Sequence, residues 1–313
     1  MGTVRRWAGL AGLLAALAAG PAAAADPPGY TRQEDVVYGR KFGTALTLDV
    51  FTPKNANGAA VVFMVSGGWF SSHEAVPGAV PRFCGELLAR GYTVFAVVHG
   101  SQPRYTIPEA VADVNRAVRF IRSRSKDFKI DPDRVGVTGG SAGGHLSLML
   151  GTAGAPGDPN SPDPVERESS RVRAVACLFP PTDFLNYGEP GKEALGSGTL
   201  AGFKPPFDFS EQDPKTHSFK LITDEERRRA IGRAISPLTH VSAQSAPTLI
   251  IHGDADKLVP IQQAEMIIAR LKEVGVPAEL VVKKGAGHGW ADVAPDLKAM
   301  ADWFDKYLAP AKP

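Results

Sequence analysis

Six short apolar runs recur along this chain, and they constrain its fold more than any other feature. They are AAVVFMVSGG (59–68), GYTVFAVVHG (91–100), RVGVTGG (134–140), RVRAVACLFP (171–180), PTLIIHGDAD (247–256) and AELVVKKGAG (278–287). Each is nearly continuous in apolar residues rather than alternating, as expected of a strand buried on both faces. Helical patterns fall between them. In 107–125, Val111, Val114, Val118 and Ile121 share one face, with Pro108 in the first turn. In 261–275, Ala264, Ile267, Ile268 and Leu271 do the same before a capping Gly275. A third helical pattern, 297–308, closes the chain. Strands alternating with helices predict an α/β fold with a mostly parallel central sheet and helices on both faces. Residues 34–52 alternate apolar and polar side chains around a glycine turn, which predicts an antiparallel hairpin at the N-terminal edge.

Two segments lie outside this rhythm. Residues 1–25 carry Arg5 and Arg6, an apolar run and then a cluster of alanines. This is the pattern of a secretory signal peptide, and the run is short for a bilayer span. Export to the periplasm or medium is therefore expected, with no stable membrane anchor. Residues 26–313 are expected to form a single domain. Within it, residues 185–235 are long, rich in glycine and proline, and end in a charged helical pattern; a connection of this length reads as a cap or lid-like insertion.

Charge and cysteine usage narrow the function. The chain has 35 basic and 33 acidic residues; residues 1–25 hold two of the bases and no acid, so the remainder is balanced at 33 each. Such balance offers nothing to nucleic acid. Two cysteines, Cys84 and Cys177, are too few for a disulfide scaffold. Export permits one bridge between them; two buried free thiols is the simpler reading.

The chemistry centres on VTGGSAGGHLS (137–147). A G-x-S-x-G match means little in a chain with 33 glycines, but here a buried strand precedes Ser141 and a helical pattern follows it. That context is a nucleophile elbow. Gly139 and Gly143 allow the close approach such a turn needs, and the following helix aims N–H groups at an anion beside the serine. A serine hydroxyl needs a base. An acid and then a histidine are expected in loops after later strands, and the chain offers Asp254 and Asp256 after one and His288 after the next.

The segments GGSAGGH, HGDADKLVP and GAGHGW resemble the α/β-hydrolase superfamily, in particular its bacterial esterase and lipase branch, which includes acetyl-xylan, feruloyl and hormone-sensitive-lipase-like esterases. The resemblance implies a serine carboxylic-ester hydrolase with Ser141, His288 and Asp256 as catalytic triad. Asp254 becomes a turn residue. The family's His-Gly-Gly-Gly-Trp turn corresponds to VSGGW, so that Val65 and Ser66 replace its histidine and first glycine. Gly67, Gly68 and Ala142 are then the expected oxyanion donors, a one-residue shift to the Trp69 N–H remaining open. The histidine's packing role must be filled by another residue.

Trp69, Phe70, Phe184 and Trp290 are expected to shape the substrate pocket, with Phe203, Phe207, Phe209 and Phe219 closing it from the insertion; the competing reading is core packing. His145 and His252 read as structural, and His73 and His99 stand near strand ends that face the site. No histidine pair has chelating spacing, so no metal or other cofactor is expected. The expected partner is a small-molecule or polysaccharide-linked ester, with oligomeric state open. Two rivals remain: an amide or peptide hydrolase of the prolyl-oligopeptidase type, and a non-catalytic binding protein on the same scaffold.

Overall fold

The computed structural model describes residues 29–310; the expected signal peptide lies outside them. The chain opens with β1 (Tyr30–Lys41) and β2 (Thr44–Pro53), an antiparallel hairpin turning at Phe42–Gly43. The predicted buried runs follow as β3 (Ala60–Met64), β4 (Thr93–Val98), β5 (Val135–Gly140), β6 (Ala174–Leu178), then, after the insertion, β9 (Thr248–Gly253) and β10 (Ala278–Lys283). They join the hairpin in one eight-stranded sheet of order β1-β2-β4-β3-β5-β6-β9-β10. Pairing is antiparallel from β1 through β4 and parallel from there to β10. This is the α/β-hydrolase architecture, with the hairpin as its antiparallel edge.

Helices cover both faces. On one lie α1 (Val76–Ala89) and, from the chain's end, α7 (Ala294–Tyr307), burying Val76, Val80, Met300 and Phe304 against the sheet. On the other lie α2 (Ile107–Ser123), α4 (Ala142–Ala153) and α6 (Gln262–Glu273), with the four-residue α3 (Ser125–Phe128) after α2. Helix α2 starts at a capping box, Thr106 with Glu109, and of its predicted face Val114, Val118 and Ile121 are buried. Helix α1 carries no clear signal in the sequence: Pro77, Gly78, Pro81 and Gly85 interrupt the pattern, and burial of its apolar face overrides them. Cys84 on α1 and Cys177 on β6 are buried free thiols.

Residues 185–235 contain two 3-10 turns (Gly198–Phe203 and Pro205–Phe207), the small hairpin β7 (Ser210–Gln212) and β8 (Phe219–Leu221), and helix α5 (Glu225–Ala234). The segment folds down onto the body: His145 in α4 bonds the carbonyl of Ile235 at 2.7 Å. Among the described residues no helix is long and apolar enough to cross a membrane.

Candidate active site

Ser141 stands at the carboxyl end of β5 and opens α4. Its φ of 54° and ψ of −119° are strained for a residue with a Cβ, at a cost of order 1–3 kcal/mol. The surroundings hold it there. Its N–H donates to Leu178 O at 2.9 Å, and its carbonyl accepts from the His145 N–H at 2.9 Å. Glycine is required on both sides of the elbow: a Cβ on Gly139 would lie 2.6 Å from the carbonyl carbon of Gly143, and one on Gly143 would lie 2.9 Å from Met64 O.

Three side chains from three loops meet at this edge. His288 Nε2 lies 2.9 Å from Ser141 Oγ, and its Nδ1 lies 2.7 Å from Asp256 Oδ2. A carboxylate can only accept, so Nδ1 carries the proton and Nε2 is free to accept from the serine hydroxyl. Asp256 is buried, with Oδ1 accepting the N–H groups of Leu258 and Val259 at 2.9 and 3.0 Å. Burial pushes its pKa up, but hydrogen bonds from His252 and His288 outweigh this and hold it well below the usual carboxylate range. His252, wholly buried at the end of β9, donates from Nε2 to Val259 O at 2.8 Å and stands 3.3 Å from Asp256 Oδ2. That bond assigns its proton to Nε2 and leaves Nδ1 without a partner among the described residues.

The acid and histidine loops also brace each other. A Cβ on Gly253 would strike Ala286 O at 2.3 Å, and Ala255 N–H donates to that same oxygen at 2.9 Å. Asp254 takes the turn role expected of it: its Oδ1 accepts the Gly285 N–H at 2.6 Å, and Lys284 pairs with it at 3.1 Å.

The turn after β3 differs from expectation in one respect. The N–H of Gly67 already donates to Phe70 O at 2.9 Å, in a tight bridge returned by Phe70 N–H to Gly67 O. Gly68, Trp69 and Ala142 donate to no acceptor among the described residues. Gly68 and Trp69 both have positive φ, 56° and 59°. The ring of Phe203 lies on Gly68, so closely that a Cβ there would come 2.5 Å from Cε1.

The expected pocket aromatics divide. Trp69 and Phe184, at 3% and 0% exposure, instead join a packed cluster with His145 and Phe207. Because the insertion folds onto α4, aromatics that would have lined an open cleft become core. Phe207 and Phe209 are buried with them, whereas Phe219 is exposed on β8. Phe70 is 42% exposed beside the turn. Trp290 donates to Asp296 at 2.6 Å and meets Phe179 edge-on. Phe179, which sequence reasoning missed, packs on the His288 ring at 4.5 Å between centroids. Its φ of 37° turns it back over the site. The two prolines that follow it are the one local signal that the strand must stop there.

The remaining histidines lie outside the run from Ser141 through His288 to Asp256. His145 is buried; it accepts the Trp69 indole N–H at 3.2 Å, and burial lowers its pKa to about 4. His99 bonds Ser66 and does not reach Ser141. His73 sits with Asp35 and Asp49 near the β1–β2 edge. The three come from separate elements, and Arg32 already holds Asp49 through two N–H bonds of 2.9 and 2.6 Å. His217 is on the β7–β8 turn, and His240 bonds Ala234 O at 2.8 Å.

Comparison with known proteins finds this fold in solved hydrolases. A truncated carbohydrate esterase from gut microbiota superposes with a TM-score of 0.72 at 25% identity, covering 90% of this chain and 98% of that one. An acetyl ester-xyloside bifunctional hydrolase from Caldicellulosiruptor lactoaceticus gives 0.69 at 25% identity, covering 87% and 95%. A probable carboxylic ester hydrolase, LipM of Mycobacterium tuberculosis, is 29% identical over 249 residues, 78% of this chain but 53% of LipM. The chain thus spans about half the length of the curated relatives it matches first. The BD-FAE family model matches residues 48–271, which take in the turn after β3, the elbow and the acid loop but stop short of His288. With that match running through most of its length, the chain belongs to the BD-FAE family.

Proposed function

We propose that the protein is an exported serine carboxylic-ester hydrolase. One observation carries the reading: the continuous run of hydrogen bonds from Ser141 Oγ through His288 to Asp256. In this scheme Ser141 Oγ attacks the ester carbonyl while His288 Nε2 takes its proton. Asp256 keeps the proton on Nδ1 in the resting state and stabilises the imidazolium that forms. The carbonyl oxygen becomes an oxyanion and is received by the N–H groups of Gly68 and Ala142, with that of Trp69 beside them. Collapse expels the alcohol, which takes the proton from Nε2 and leaves an acyl-serine. Water then attacks the acyl group, again losing its proton to His288, and the acid departs as Ser141 regains its hydrogen. Every proton moves among these side chains, substrate and water, so the cycle needs no cofactor.

Phe179 over the imidazole and Phe203 over Gly68 give the site two apolar walls. These favour an ester with an acyl or aryl group to cover, free or attached to a polysaccharide. The names of the similar proteins, a carbohydrate esterase and an acetyl ester hydrolase among them, point to the same substrate class. Export rests on the sequence of residues 1–25. The test is hydrolysis of p-nitrophenyl acetate alongside an aminoacyl anilide, with fluorophosphonate labelling of Ser141. Ester turnover with labelling is expected. Faster cleavage of the anilide would move the reading to an amide hydrolase, and absence of both turnover and labelling would leave a binding protein.

A further inference from the structure

An imidazole stands against the turn after β3. It comes from His99, just past the end of β4. His99 Nε2 lies 2.8 Å from Ser66 Oγ, and Nδ1 lies 2.9 Å from Gly100 O. The carbonyl can only accept, so Nδ1 bears the hydrogen. Nε2 is then an acceptor, and the Ser66 hydroxyl donates to it. His99 is 2% exposed, and burial lowers its pKa to about 4, which keeps the ring neutral and this pairing in place.

Ser66 is the joint between the two halves of the oxyanion site. It directly precedes Gly67 and Gly68 in the chain. Its carbonyl also lies against the start of α4: a Cβ on Gly143 would meet Met64 O at 2.9 Å and Ser66 O at 3.4 Å. The start of α4, where Ala142 precedes Gly143, is thus packed against the backbone from Met64 to Ser66. On its other side the turn hangs from the end of β4 and the segment that follows it. Val65 N–H donates to Val97 O at 3.1 Å, Ser71 N–H to Ser101 Oγ at 3.0 Å, and Gln102 N–H to Trp69 O at 3.1 Å. His99 is anchored in turn: Gly100 N–H donates to Asp113 Oδ2 at 2.8 Å, and Lys41 pairs with that carboxylate at 2.6 Å.

We propose that His99 is a positioning residue for ester hydrolysis, fixing through Ser66 the turn that, with Ala142, receives the oxyanion. The inference rests on the ester-hydrolase reading above. It makes Ser66 and His99 one device, joined by the hydrogen bond between them. Neither side chain touches substrate in this scheme, so their loss slows the chemical step while leaving ground-state binding alone.

The experiment measures kcat and KM for p-nitrophenyl acetate, with Tm, on the full chain and on Ser66→Ala, His99→Ala, the double variant and His99→Gln. Ser66→Ala and His99→Ala should each lower kcat about tenfold with KM within about twofold, a size typical of a group one step behind the reacting atoms. The double variant should be no slower than either single one, because both remove the same hydrogen bond. His99→Gln, whose side-chain oxygen can still accept from Ser66, should recover most of kcat. Wild-type kcat in Ser66→Ala, additive losses in the double variant, or a His99→Gln variant as slow as His99→Ala would each overturn the inference. Should His99→Ala fail to fold, Ser66→Ala and His99→Gln decide the matter alone. An unaltered chain that hydrolyses no ester overturns the ester reading and this inference together; an active chain indifferent to Ser66→Ala overturns this inference only.

Discussion

Asp254 and Asp256 are two residues apart and chemically identical, yet they do different work. Asp256 faces His288 and is closed off from solvent, while Asp254 clasps the neighbouring loop through Gly285 N–H. Asp256→Asn should cut turnover by about 10⁴, because an amide facing Nδ1 favours the wrong imidazole tautomer. Asp254→Asn keeps an oxygen able to accept from Gly285, so its turnover should stay within a few-fold of the parent. Steady-state kinetics on one ester checks both, and a larger loss at Asp254 would reverse the assignment. Ser141→Ala should remove activity by several orders of magnitude while preserving Tm. Replacing a residue at φ 54° with another small one leaves the backbone requirement as it was. Near-normal turnover in a folded Ser141→Ala protein would end the covalent scheme.

At the level of elements, the insertion is the part whose role depends on where its phenylalanines point. All of Phe203, Phe207 and Phe209 could have formed a lid over the substrate. Phe207 packs against Trp69 and Phe184, and Phe209 packs against Phe207; Phe203 lies on Gly68 in the turn after β3. Their substitutions should therefore separate. Phe207→Ala should cost about 3–5 kcal/mol of stability, the usual range for emptying a buried aromatic site, and treat short and bulky esters alike. Phe203→Ala should raise KM for aryl or long-acyl esters about tenfold more than for acetate. A ring face covering roughly 50 Å² of substrate is worth about 1.3 kcal/mol at 25 cal/mol per Å². Thermal melts with KM across an acyl-length series would show the division; equal KM changes for all esters in Phe203→Ala would remove Phe203 from the binding surface.

Across the whole molecule, buried neutral histidines couple folding to pH. Burial lowers His99 and His145 from 6.5 to about 4. Unfolded chains take up these protons as pH falls through 6.5, whereas the folded protein takes them up only near 4. Stability is thus complete above about pH 7 and lost progressively between 6.5 and 4, by about 3 kcal/mol for each histidine. Asp256, held low in the folded state, adds a loss of the same sign, but only below its ordinary range. Tm measured from pH 8 to 4 should be flat at first and then fall from about 6.5 downward. A constant Tm between 7 and 4.5 would show that these imidazoles are not buried in neutral form.

Much of this was legible in the residues themselves. Continuous apolar runs read as strands covered on both faces; this holds for β3 to β6 and β9, whereas β10, of the same pattern, is a partly exposed edge strand opposite the hairpin. The elbow was legible because a strand, G-x-S-x-G and a helix are consecutive, and the acid and histidine loops because each closes a strand. Such signals are local: burial and backbone conformation are written within a few residues. Helix α1 escaped because its prolines and glycines oppose the helix locally and only packing against the sheet overrules them. The rest required contacts between distant segments. Ser66 and His99 are 33 residues apart, and nothing in either stretch names the other. That Gly67 spends its N–H on Phe70, that Trp69 and Phe184 are core, and that Phe179 and Phe203 flank the site follow from how the insertion and loops fold back over the sheet edge. Side-chain direction at a loop is set by what packs against it, and that partner exists only once the chain has folded.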